Sequence, residues 1–228
     1  ALMAEFTKLL GYTVTSVPAG RQVVVDGVTY TTPKAFTWLP GTDHTIGVAS
    51  PQLSGTGTRY VYQGWSDQGT QSHTVTTPAT AKTYTVTFGT QYALTASSAA
   101  GFVSPAGAGT LTLSPEAEAV EGGRSWYALN QAVTATTSPV NAGYAFASWS
   151  GGPVTSGSGA GAGGAVGTVV MDGPKSVTAN YNVAYTVTTN PEGLSVYADD
   201  WVAYTSSKTF GWAPGSTHWF WVFVSPQT

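Results

Sequence analysis

Three histidines, His44, His73 and His218, are the residues through which this chain would do acid–base chemistry. An acyl-transfer triad needs a hydroxyl nucleophile and an orienting acid converging on one imidazole. Asp43 precedes His44, but Thr217 stands before His218, so that adjacency does not recur. Both histidines follow a Pro-Gly pair, Pro40-Gly41 and Pro214-Gly215. A position repeated in this way serves the fold rather than a reaction, and the histidines read as structural.

The other chemistries find little support. With no cysteine, disulfides, thiolate metal sites and cysteine nucleophiles are excluded. Glycoside hydrolysis needs two carboxyl groups at a fixed separation, and nothing brings together two of Glu116, Glu118, Glu121 and Glu192. Acidic residues are too sparse for a D-x-D-x-D-G calcium loop, so Asp67, Asp199 and Asp200 read as turn residues. Gly159–Gly164 matches G-x-G-x-x-G, but a dinucleotide site requires a helix after it, and here the surroundings are low-complexity Gly, Ala and Ser. A Lys175 isopeptide link to Asn180 or Asn182 would join neighbours on one segment and constrain little. No catalytic residue, cofactor or metal is expected, and the chain reads as non-enzymatic.

Charge points the same way. The net charge is −3, only 8% of residues are charged, and the lysines (Lys8, Lys34, Lys82, Lys175, Lys208) are scattered. Neutralising phosphates takes clustered Lys and Arg, so nucleic acid is not an expected partner. No apolar run is long enough for a membrane span. A neutral surface rich in Thr, Ser and Gly suits a secreted or cell-surface protein. Beginning at Ala1, the sequence reads as a processed chain or a fragment.

Alternation of period two, bounded by Pro, Gly and Asn turns, runs through most of the chain and predicts short strands. In the first module these fall at 12–17, 22–26, 35–39, 44–49, 59–65, 72–76 and 83–88, about seven in all. Asp26-Gly27 and Pro40-Gly41 are turn dipeptides. The first stretch then returns near the end: Tyr12-Thr13-Val14-Thr15 as Tyr185-Thr186-Val187-Thr188, Asp26 as Asp199, Trp38 as Trp212, His44 as His218. The middle of the chain echoes the second half of the first module, with Trp65 matched by Trp149, Lys82 by Lys175 and Phe88 by Tyr181. Such long-period similarity marks a tandem array. We expect an all-β chain of small Ig-like β-sandwich modules: an N-terminal segment at 1–11, modules at 12–91 and 92–184, and an incomplete one at 185–228. Trp38, Trp65, Trp149 and Trp212 should lie in the cores. The acidic run Glu116-Ala117-Glu118 reads as a short helix or a polar loop.

Residues 144–151 (YAFASWSG) and 169–181 (VVMDGPKSVTANY) closely resemble divergent InlB-type bacterial surface repeats, a likeness that extends over about 58–90 and 92–183. Residues 12–52 and 185–227 resemble PEGA-type β-domains, with their Pro-x-Gly step, Val-rich strand ending in Asp, and Pro-Gly-x-x-His. Both resemblances imply secreted or surface-attached bacterial proteins that serve as stalks, adhesive arrays or appendages, and neither supplies catalytic residues.

The informative departure is aromatic. His44-Thr45-Ile46-Gly47-Val48-Ala49 aligns with His218-Trp219-Phe220-Trp221-Val222-Phe223. Alternation assigns Ile46, Val48, Phe220 and Val222 to the core, and turns Trp219, Trp221 and Phe223 outward. Such a face calls for a partner. The leading expectation is a subunit of a head-to-tail fibre or stalk, its last module completed by a neighbouring copy. The donor would be residues 1–11, where Leu2, Phe6 and Leu10 alternate on one face. The alternatives are a carbohydrate-binding or adhesive module, with Trp219, Trp221 and Trp201 stacking on surface polysaccharide, or a fragment of a longer repeat array.

Overall fold

The computed structural model describes residues 8–100, 108–140, 142–152, 154–156, 165–199, 201–213 and 215–222. Among these every regular element is a β-strand, so the chain is all-β. Two compact units divide between Ala93 and Leu94.

The first unit contains β1 (Leu10–Val17), β2 (Gln22–Val25), β3 (Val28–Thr31), β4 (Lys34–Trp38), β5 (Asp43–Gly47), β6 (Gln52–Ser54), β7 (Thr58–Trp65) and β8 (Ser72–Thr76). It also holds β9 (Lys82–Ala100) as far as Ala93. One sheet runs β3-β2-β5-β8. In the other, β1 lies between β4, which is antiparallel to it, and β9, which is parallel. β7 then pairs with β9, and β6 with β7. Both sheets supply one core, in which Tyr12, Val14, Val23, Ile46, Val75, Tyr84, Val86 and Phe88 are buried.

The turn chemistry accounts for the extra strands. Asp26 (φ 48°) and Gly27 (φ 80°) both take positive φ, the requirement of a tight hairpin turn. The chain therefore returns immediately as β3, so the Asp26-Gly27 turn joins two strands where one was expected. β6 is the other addition, a three-residue edge strand after Pro51.

The second unit opens with β9 from Leu94 onward. It continues with β10 (Gly109–Ser114), β11 (Ala119–Glu121), β12 (Arg124–Ala128), β13 (Ala132–Pro139), β14 (Tyr144–Gly151), β15 (Thr155–Ser156) and β16 (Ala165–Val170). β17 (Lys175–Val187), β18 (Val196–Tyr197), β19 (Ala203–Tyr204) and β20 (Lys208–Trp212) complete it. One sheet runs β10-β13-β16-β15. In the other, Leu94–Ala100 of β9 pair in parallel with Lys175–Tyr181 of β17, and β14 pairs antiparallel with β17 on its other edge. Glu116 and Ala117 lie in irregular chain between β10 and β11, so the polar loop holds there.

The registers of the two units coincide. In the first, Tyr12 faces Lys82 and Trp65 faces Val86, with a bulge between Tyr62 and Gly64. In the second, Leu94 faces Lys175 and Trp149 faces Ala179, with a bulge between Phe146 and Ser148. Gly41 (φ 82°) and Asn130 (φ 66°) occupy equivalent turns, one in each unit. Each donates its amide to the chain after a strand of the opposing sheet, Gly41 to Thr77 and Asn130 to Met171. Gly109 is glycine because a Cβ there would stand 2.2 Å from the Tyr181 hydroxyl.

Trp38 and Trp65 are buried in the first core. Trp149 and Trp212, expected in cores, are only half-buried. Val86, opposite Trp65, is a branched wall; Ala179, opposite Trp149, covers less of the ring.

Phe88→Ala removes a ring that is 4% exposed and should cost about 3–5 kcal/mol. Denaturant unfolding followed by tryptophan fluorescence would register this as a lower midpoint.

Candidate functional site: the open half-module

The C-terminal strands repeat the pairing of β1–β5. Val183 faces Trp212 and Tyr185 faces Phe210, as Leu10 faces Trp38 and Tyr12 faces Phe36. Val196 faces Tyr204 as Val23 faces Tyr30. Tyr197 bridges Trp221 as Val24 pairs with Gly47.

On this scaffold stands the same stack of side chains in both places. Trp38 lies on His44 at 4.0 Å between centroids and on Phe36 at 4.8 Å, and Tyr30 meets Phe36 edge-on. Trp212 lies on His218 at 4.0 Å and on Phe210 at 4.6 Å, and Tyr204 meets Phe210 edge-on. A lysine caps each stack, Lys34 over Tyr30 and Lys208 over Tyr204. At the other end His44 Nδ1 binds Asp26 Oδ2 at 2.7 Å, and His218 Nδ1 binds Asp199 Oδ2 at 2.6 Å. The second oxygen of each carboxylate accepts a backbone amide, from Thr45 or from Trp219.

A hydroxyl completes an arrangement with the outline of a triad. Thr42 Oγ1 lies 3.0 Å from His44 Nε2, and Ser216 Oγ lies 2.5 Å from His218 Nε2. Each hydroxyl also reaches a backbone carbonyl, Leu39 O at 2.7 Å or Ala213 O at 2.6 Å. Carboxylate, imidazole, hydroxyl and carbonyl thus form one continuous polar line that ties the histidine to the Pro-Gly turn. Asp43, the sequence neighbour of His44, binds Thr76. The orienting acids are thus Asp26 and Asp199, not Asp43. Asp199 and Asp67, expected only to shape turns, each hold a histidine; His73 joins Asp67 at 3.0 Å and meets Trp65 edge-on.

Burial works against charge on Asp26, yet the hydrogen bonds from His44 and from the Thr45 amide outweigh it and hold its pKa below the ordinary carboxylate value. Asp67 is depressed in the same way: burial opposes, and His73 prevails. For Asp199 the Trp219 amide is the leading cause of a lowered pKa, followed by His218.

The two scaffolds differ in what covers them. Tyr12 is 1% exposed, Ile46 0% and Val48 7%; their counterparts Tyr185, Phe220 and Val222 are 43%, 45% and 56% exposed. In the first unit the cover is β8, β7 and the parallel strand β9. Among the described residues Tyr185–Val187 pair with β20 on one edge, and nothing lies along the other. Thr15, Ser16 and Val17 are held in β1 by β9 alone, and their counterparts Thr188, Thr189 and Asn190 fall outside β17. Where Ser16 and Thr32 are buried and joined by a 2.5 Å hydrogen bond, the equivalent corner is a groove of about 340 Å³ lined by Thr189, Glu192, Gly193 and Ser206.

The expected interface residues separate into three groups. Trp219 (71% exposed) and Trp201 (73% exposed, φ 59°) stand in solvent. Trp221, expected outward, is half-buried, stacked on Tyr197 and met edge-on by Trp201 at 4.4 Å. Leu10, expected in a donor segment, belongs to β1 opposite Trp38 and packs against its own core. Leu2, Phe6 and Phe223 lie outside the described residues, as does the Gly159–Gly164 stretch.

Glu116, Glu118, Glu121 and Glu192 are all exposed. Lys175 pairs with Asp172, while Asn180 binds Ser150 and Asn182 binds the Gly211 carbonyl, so no lysine–asparagine link forms among them. Among the described residues no three acidic or histidine side chains cluster as metal ligands. No protein-family model, curated protein or solved structure matches the chain.

A carboxylate whose folded pKa is depressed stabilises the fold above its unfolded value, about 3.9, and that stability is lost as pH falls through the lower folded value. The thermal midpoint of the first unit should therefore drop below about pH 4. Asp26→Asn should lower the midpoint at neutral pH and flatten its acid dependence, readable by calorimetry between neutral pH and pH 2.

Proposed function

We propose that this chain is a non-enzymatic structural protein of the bacterial exterior, built of tandem Ig-like β-modules, that associates head to tail through its open C-terminal half-module. The observation that carries this reading is the exposure of Tyr185, Phe220 and Val222, whose counterparts lie inside the first core. Burying such side chains is worth roughly 1.5–3 kcal/mol each, and the edge of β17 at Tyr185–Val187, along which no strand lies among the described residues, offers backbone groups to a further strand. A second copy of the chain is the occupant argued for. Its modules show how such a face is closed, by a parallel strand set beside the opening one. The scarcity of charge and the hydroxyl-rich surface suit a stalk or fibre outside the cell.

Sedimentation velocity of the chain over a range of concentrations tests this. The expected result is a concentration-dependent shift to dimers and longer species that Phe220→Ser weakens. A monomer at every concentration would overturn the reading.

One observation favours a second reading, an adhesive or carbohydrate-binding role: Trp201 and Trp219 present two largely exposed indoles, and flat aromatic faces stack on sugar rings. If that holds, soluble polysaccharide should quench tryptophan fluorescence in the parent chain and not in the Trp201→Ala, Trp219→Ala double variant.

A further inference from the structure

A module closed by a parallel strand answers a pull in a particular way. In the first unit the opening strand β1 and the closing strand β9 are hydrogen-bonded neighbours over six residue pairs, from Tyr12 with Lys82 to Val17 with Thr87. In the second, Leu94–Ala100 of β9 and Lys175–Tyr181 of β17 are neighbours over seven. The two strands of each pair run the same way. The chain therefore enters the pair at one end and leaves it, along the closing strand, at the opposite end. Tension along the chain slides one strand past the other and strains every rung together. In an antiparallel pair entry and exit would lie at one end, and the same tension would peel the rungs apart one by one. β4, on the other edge of β1, takes none of this directly, since both its ends continue into the module.

More than backbone pairing opposes the slide. Tyr84 and Val86 lie opposite Val14 and Ser16, and all four are buried. In the second unit Val177, Ala179 and Tyr181 are fully buried, and a slip would draw such side chains out of the core at the cost of wetting them. Ser97 Oγ and Thr178 Oγ1, opposite one another across that pair, lie 3.0 Å apart and add a side-chain rung. β9 is a single strand from Lys82 to Ala100. The closing strand of the first pair is thus the opening strand of the second, with no break in strand structure between them. With no cysteine in the chain, no disulfide relieves the pairs of tension.

Taking the stalk reading above further, we propose that this chain bears tension: a pull on it passes from β1 to β9, and from β9 to β17, through two parallel pairs held in shear. The proposal rests on the stalk role and stands whether or not copies join head to tail. Its strength lies in the height of the barrier to forced opening, which is distinct from equilibrium stability.

Because the chain lacks cysteine, handles can be placed at chosen residues. Leu9 precedes β1 and Ala81 precedes β9, at the same end of the first pair, while Thr87 stands at its far end; all three are exposed. In the full chain, Leu9→Cys with Thr87→Cys pulls along the strands, and Leu9→Cys with Ala81→Cys pulls across them. With DNA handles in optical tweezers at one loading rate, the first combination should give way at a several-fold higher force than the second, although their thermal midpoints agree. Pulled by its two termini, the parent chain should show two events at the higher force, each lengthening the tether by about 250–300 Å.

If the pull along the strands needs no more force than the pull across them, the proposal is wrong. It is equally wrong if the chain pulled by its termini yields at the lower force. Concentration-dependent association that persists in either case leaves the head-to-tail reading intact. A monomeric chain that resists shear overturns that reading and supports this one.

Discussion

An interior β-strand carries hydrogen-bonding groups along two edges, and leaving one edge bare in an apolar setting is costly. That constraint organises this molecule. β1 meets it with β4 on one side and the parallel β9 on the other. The Leu94–Ala100 stretch of β9 meets it with parallel β17. Parallel pairing demands a partner that arrives from far along the chain or from outside it, since no short turn can join two such strands. In both cases the partner comes about seventy to eighty residues later, after the opposing sheet has been laid down. The closing strand is thus a late piece of each layer, and it buries three alternate side chains as it arrives.

The stack from lysine to aspartate is the second organising feature, and it is self-contained. Tyr30, Phe36, Trp38 and His44 come from the three successive strands β3, β4 and β5, and Asp26 from the turn between β2 and β3. Its copy, Tyr204 to Asp199, keeps the ring distances although Tyr185 and Phe220 beside it are far more exposed than their counterparts. Face-to-face rings and a carboxylate–imidazole pair fix one another without needing the closing strand. The imidazole lies flat on the indole, so its two nitrogens are aimed in the ring plane, one at the carboxylate and one at the turn hydroxyl. That geometry gives the arrangement the outline of a triad while its oxygens and nitrogens tie the ring to the turn.

Much of the fold was legible in the sequence because it rests on local signals. Period-two alternation placed most strands of the first unit to within a residue or two, and the Asp26-Gly27 and Pro40-Gly41 turns fall where Gly takes positive φ. The repeat matched Trp38 with Trp212, and the two hold the same place in their stacks. What escaped was tertiary. The Asp26–His44 pair spans eighteen residues and two strands, and an aspartate in a Asp-Gly turn already has a sufficient local reason to be there. The recurrence of both partners, Asp26 with Asp199 and His44 with His218, was the available signal. For Trp221 alternation gives a face and not its occupants: Tyr197 and Trp201, from a neighbouring strand and the loop after it, cover part of that ring. The β3 and β6 strands are too short for a periodic pattern to register.

A stack built from near neighbours in the chain has a kinetic meaning. Its contacts join residues close along the chain, so the loops that must close to form it are short and their entropic cost is small. Such a cluster can order early, leaving the long loop that brings in a parallel strand to close afterwards against side chains already in place.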